Sequence, residues 1–99
     1  MAQVNWTFQA LEDVAAIAEY HENFSEKYAS FLVQEFFTKA ALLETFQMMG
    51  RMVPETNITA IRELIVNEYR IIYAVPDKTQ VNILTVRHSS RPLADFSAP

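Results

Sequence analysis

Three residues spread along the 99-residue chain, Glu55, Arg70 and His88, are of types that can do chemistry. General acid–base catalysis on a charged group needs a base to take a proton, a cation to stabilise the charge and an acid to protonate what leaves. Glu55, Arg70 and His88 can fill those roles in that order. Each also has a plain structural use. A glutamate after proline, as in Pro54-Glu55, is commonly a solvated or capping carboxylate. Arg70 can pair with Glu63 or Glu68 across a hairpin, worth about 0.2–1 kcal/mol, and a strand-end histidine is commonly a surface or core side chain. Arg51, Arg62, Arg87 and Arg91 would make an anion-facing patch if the fold gathered them. His21 and His88 have no acids at ligand spacing and there is no cysteine, so neither a metal site nor a cofactor is expected.

These residues need a scaffold, and its centre is the stretch from Arg62 to Val75. Two short apolar runs there alternate with polar residues and meet at Asn67-Glu68, which predicts a β-hairpin. A third alternating run, Gln80 to His88, follows the turn Pro76-Asp77-Lys78-Thr79, so three strands form an antiparallel meander. Tyr69 and Tyr73 fall on one face of it and are expected in the core. Upstream, Val4 to Thr7 is a short strand candidate, with Thr7 placed to cap a helix from Phe8 to about Phe24. Its apolar side is Leu11, Val14, Ala15, Ile17 and Ala18. Ser25 caps a second helix to about Phe46, with Tyr28, Phe31, Leu32, Phe36, Leu43 and Phe46 at three- and four-residue steps. The two should form an antiparallel hairpin. Residues 47–60 are read as a loop in which Gly50, the single glycine, makes a left-handed stop or tight turn. Met48, Met49 and Met52 are expected mainly as flexible core filling. The tail, Ser89 to Pro99, is either disordered or docked through Leu93 and Phe96.

Composition restricts the function classes. Half the residues are apolar, 51 %, enough for one core, so residues 1–99 are read as a single α+β domain with 89–99 as its tail. The order is strand, two helices, loop and three strands (β-α-α-β-β-β), with the helices on one face of a small antiparallel sheet. No apolar run approaches the roughly 20 residues that span a bilayer, and no export signal opens the chain, so a cytoplasmic protein without membrane contact is expected. Net charge is −4. Residues 1–49 carry Glu12, Asp13, Glu19, Glu22, Glu26, Glu35 and Glu44 against Lys27 and Lys39, whereas all five arginines lie beyond Gly50. An acidic chain with an arginine-bearing half makes a poor general binder of nucleic acid.

The order of several short motifs resembles the RelE/ParE superfamily of bacterial toxins over nearly the whole chain. They are Met49-Gly50-Arg51-Met52-Val53-Pro54-Glu55, Arg62-Glu63-Leu64, Tyr69-Arg70-Ile71-Ile72-Tyr73, and Ile83 to His88 followed by Arg91. The resemblance implies the toxin of a type II toxin–antitoxin pair, neutralised by a cognate antitoxin. RelE-like members cut messenger RNA on the ribosome, and ParE-like members inhibit DNA gyrase without the nuclease residues. The first two motifs look more like the ParE side. Glu55, Arg70 and His88 are similar in position to the catalytic set of the YoeB-like nuclease branch, which implies base, cation and acid, in that order, for cleavage of an RNA strand by its own 2′-hydroxyl. Ser89, however, stands where that branch ends in tyrosine, and ten more residues follow. The expectation is therefore a gyrase inhibitor, with a ribosome-dependent endoribonuclease as the alternative. Homodimerisation is left open. Arg87, Arg91, Leu93 and Phe96 are the candidate target contacts, then Arg51 and Arg62.

Overall fold

A hydroxyl opens each helix, as the sequence predicts. The Thr7 side chain accepts from the Ala10 amide and that of Ser25 from the Tyr28 amide, both at 3.1 Å, which satisfies amides the first turn leaves without partners. The computed structural model describes residues 1–93. Along it run β1 (Gln3–Trp6), α1 (Phe8–Glu22), α2 (Glu26–Ala41), β2 (Arg51–Met52), β3 (Ile61–Val66), β4 (Tyr69–Asp77) and β5 (Gln80–His88). The second helix ends earlier than its apolar spacing suggests. After Ala41 the chain tightens into a 3-10 turn, Leu42–Glu44, which seats Leu43 in the core and lets the Glu44 carbonyl accept from the Ala2 amide at 2.8 Å.

The strands lie in the order β1-β5-β4-β3-β2, with two helices packed on one face. The meander β3-β4-β5 is antiparallel, but β1 joins β5 in parallel, so the sheet is mixed rather than antiparallel throughout. Asn5 helps fix that junction, its amide donating to Gln80 Oε1 at 2.6 Å and Asn82 Oδ1 at 3.1 Å. The hairpin turns at the predicted residues. Of its two turn residues, Asn67 takes the left-handed conformation, at φ 54°, and Glu68 does not, so nothing strained is asked of Glu68.

On the covered face Leu32, Phe36 and Leu43 are fully buried against Ile71, Tyr73, Val81 and Ile83. The predicted stripe is thus half right. Phe31 and Phe46 stay exposed, and in α1 the inward residues are Ala10 and Val14, with Leu11 and Ala15 facing out. Segment 47–60 also departs from a plain loop, since Arg51–Met52 pair with Glu63 and Arg62 as an edge strand. Gly50 makes no left-handed turn. It is needed for closeness: a Cβ there would meet the Glu63 carbonyl and lie 2.7 Å from the Tyr73 hydroxyl, which accepts the Gly50 amide at 2.9 Å. Met48, Met49 and Met52 are exposed, not core filling; on this segment the buried apolar residue is Val53. Among the described residues no helix is long and apolar enough to cross a membrane.

Candidate functional site

Strand alternation puts Tyr69, Ile71 and Tyr73 under the helices and sends Arg70 and Ile72 to the other face. That second face has its own small core of Val53, Ile61, Ile72, Leu84 and Leu93, and beside it lies an ionic cluster centred on Arg70. Both terminal nitrogens of Arg70 reach Glu55, Nη1 to Oε1 at 3.0 Å and Nη2 to Oε2 at 2.6 Å. Nη1 also donates to Glu63 Oε1 at 3.0 Å, and Nη2 to the Arg91 carbonyl at 2.8 Å. Glu63 stands diagonally across the hairpin, where Ile65 is Arg70's direct partner, and its second oxygen accepts from Arg51 Nε. The side chains of Arg70 and Glu63 are 6 % and 0 % exposed, Glu55 36 % and Arg51 66 %.

This geometry assigns every hydrogen on the two terminal nitrogens of Arg70. Its Nε is buried and, among the described residues, has no acceptor. No terminal donor is left to face a phosphate, and the unmatched Nε is buried away from solvent. The hydrogen bond from Arg70 holds the Glu55 carboxyl down at about 2, against 4.5 ordinarily, although burial opposes the shift. Arg70 is pushed up in turn, first by Glu55 and then by Glu63. A carboxylate held so firmly ionised is a weak base, the opposite of the tuning that proton abstraction near neutral pH needs.

His88 belongs elsewhere. Its ring sits edge-on to Tyr69, 5.6 Å between centroids, and its Nδ1 engages the Ser90 hydroxyl at 2.7 Å. With Asp13, Ile17, Tyr20, Tyr69 and Arg91 it lines a shallow cleft of about 270 Å³ between α1 and β5, which neither Glu55 nor Arg70 lines. His21, which drew no role from the sequence, bonds the Tyr69 hydroxyl at 2.8 Å. The sheet therefore brings Glu55 and Arg70 together and sends His88 to the side of Tyr69.

The arginine patch is also redistributed. Arg87 lies directly opposite Arg70 in the register and is 7 % exposed, so it is no surface contact, and its Nη1 donates to the Pro92 carbonyl at 2.9 Å. Arg62 bonds the carbonyls of Thr59 and Gly50, at 2.9 and 3.1 Å. Arg51 and Arg91 are exposed. Leu93 is buried, which corrects its reading as an exposed target contact and makes the start of the tail part of the core. Phe96 lies outside the described residues. Deleting 92–99 would remove both Leu93 and the carbonyl that holds Arg87. Two contributions escaped the sequence. Glu63 was visible only as one of two partners for Arg70. Asp13 accepts from Thr85 Oγ1 at 2.5 Å and the Val86 amide at 3.0 Å, past the end of β1. A helix carboxylate capping a free sheet edge leaves no local motif.

The sequence profile described as ParE toxin of type II toxin-antitoxin system, parDE, matches residues 4–93. The chain belongs to the ParE toxin family. Within the wider RelE/ParE superfamily it is 38 % identical over 92 residues to Toxin RelE2 of Caulobacter vibrioides, a match covering 92 % of this chain and 99 % of that protein. Among solved structures, the chromosomal ParDE toxin–antitoxin system of P. aeruginosa has a chain with the same fold. Its TM-score is 0.74 at 21 % identity, over 89 % of this chain and 96 % of that one. The YoeB dimer of Staphylococcus aureus has a TM-score of 0.57 at 17 % identity, over 88 % and 95 %. The RelBE2 toxin–antitoxin complex of Mycobacterium tuberculosis has 0.55 at 19 %, over 88 % and 96 %. The chain is thus a type II toxin–antitoxin toxin of a superfamily whose relatives carry both the ParE and the RelE name.

Proposed function

We propose that this ParE-family toxin stops growth by binding DNA gyrase as one folded domain in the cytoplasm, and that it does not cut RNA. The observation that carries the reading is the state of Arg70: every terminal hydrogen has an acceptor within the chain, and Glu55 and Glu63 neutralise its charge. With His88 turned toward Tyr69, base, cation and acid cannot converge on one phosphate. A protein target asks only for exposed side chains, and Arg51 and Arg91, on the arginine-bearing half, supply planar donors suited to such a contact. An antitoxin partner fits the amount of apolar side chain left exposed, and the complex should bury more than about 1,200 Å².

The test is a pair of assays on one purified preparation. Supercoiling by gyrase should be inhibited, and Arg91→Glu should weaken that inhibition. Messenger RNA on translating ribosomes should remain intact. Codon-specific cleavage that disappears in His88→Ala would overturn the reading in favour of the endoribonuclease.

A further inference from the structure

Arg51 is held along its stem and open at its end. Its backbone is fixed in β2 opposite Glu63, between the Gly50 amide, which donates to the Tyr73 hydroxyl at 2.9 Å, and the Val53 amide, which donates to the Ile61 carbonyl at 3.2 Å. Its Nε donates to Glu63, a fully buried carboxylate that Arg70 Nη1 holds from the other side at 3.0 Å. The side chain is nonetheless 66 % exposed, and among the described residues neither terminal nitrogen has a hydrogen-bond partner. A guanidinium is planar, so anchoring Nε fixes the plane in which the terminal N–H bonds lie. Ile65, two positions on from Glu63 and so on the same face of β3, is 52 % exposed.

We propose that Arg51 offers this oriented fork to one carboxylate of the toxin's protein target, an aspartate or glutamate beside an apolar side chain that covers Ile65. The inference rests on the reading that growth arrest comes from binding a protein, and adds to it the contact and the chemistry of the partner's surface. Because the fork is already in place, docking loses little side-chain entropy and two parallel hydrogen bonds can meet one carboxylate. A nucleic-acid backbone asks for several cations in a row. Beside Arg51 they are spent: Arg62 donates to the carbonyls of Thr59 and Gly50, and Arg70 is matched by Glu55 and Glu63. The partly exposed Glu55 carboxylate belongs to the same cluster and would repel a second phosphate. The acids of residues 1–49, which would repel an acidic partner, lie on the helices and the turn after them, and those helices cover the other face of the sheet.

The probe is purified DNA gyrase, with inhibition of supercoiling by the full chain as the readout. Arg51→Lys keeps the charge and loses the fork, and should raise the concentration needed for half-inhibition at least about tenfold, with unchanged circular dichroism. Ile65→Asp, which sets a like charge against the arriving carboxylate, should weaken inhibition in the same direction. Arg51→Lys that inhibits as well as the unaltered protein would overturn the inference while leaving the gyrase reading intact. Binding of a short DNA duplex by the chain alone, lost in Arg51→Lys, would assign the fork to phosphate and overturn it too. No inhibition of gyrase by the unaltered chain would overturn both readings.

Discussion

The two faces of the sheet are built from different physics. Under the helices, Leu32, Phe36, Leu43, Ile71 and Tyr73 exclude water without help from charge. On the opposite face no helix among the described residues covers the strands, and a smaller apolar cluster is closed by the Arg70 cluster and by the segment 91–93 that Arg70 and Arg87 hold through backbone carbonyls. Paired charges can seal a face that lacks enough apolar surface, provided that each is matched, since a buried charge stripped of its partner costs several kcal/mol. The same matching occupies the terminal donors of Arg70 within the chain. Arg70 and Glu55 look catalytic in the sequence by residue type; strand alternation brings Arg70 and Glu63 to one face, where Glu63 and the loop carboxylate Glu55 both pair with Arg70.

The contrast can be broken most forcefully on the covered face. Phe36→Ala should cost about 3–5 kcal/mol and Leu43→Ala about 2–5 kcal/mol in denaturant unfolding. A loss below about 1 kcal/mol at both would contradict the packing of α2. On the open face, Arg70→Ala should cost about 3 kcal/mol because it strands Glu63 in the interior. Arg51→Ala, removing a mostly exposed partner from the same carboxylate, should cost at most about 1 kcal/mol. Equal effects would mean that Glu63 relies on both arginines alike. Between the faces, Gly50→Ala should cost about 1–3 kcal/mol by forcing strand β2 away from Glu63 and Tyr73, which thermal unfolding can measure.

The smallest effect is in acid. The folded Glu55 carboxyl is held at about 2, below its ordinary 4.5, so its contribution is fully present above 4.5 and is lost as pH falls from there toward 2. Stability should decline over that window, and Glu55→Gln should flatten the decline. An unchanged slope would separate Glu55 from Arg70 in solution.

Elements whose signals are local were legible in the sequence: the caps Thr7 and Ser25, the turn at Asn67-Glu68, and the three alternating strands. The inward side of α1 was not, because alanines and Leu11 give it nearly equal apolar content all round, and only the sheet beneath decides which side turns in. The role of Gly50 was hidden for a related reason, since close approach to Glu63 and Tyr73 depends on residues 13 and 23 positions away. Of the candidate site, residue identities were readable and their grouping was not. His88 and Arg87 are neighbours in sequence, yet one meets Tyr69 beside the helices and the other meets Pro92.

The claim that Glu55 and Arg70 are a structural tie, and not a catalytic pair, is tested most directly by expressing Glu55→Gln combined with His88→Ala and measuring growth arrest. Glu63 still neutralises Arg70 in that variant, so circular dichroism and thermal unfolding should report a folded chain. The account predicts growth arrest equal to that of the unaltered protein. A folded, equally abundant variant that no longer arrests growth would contradict it.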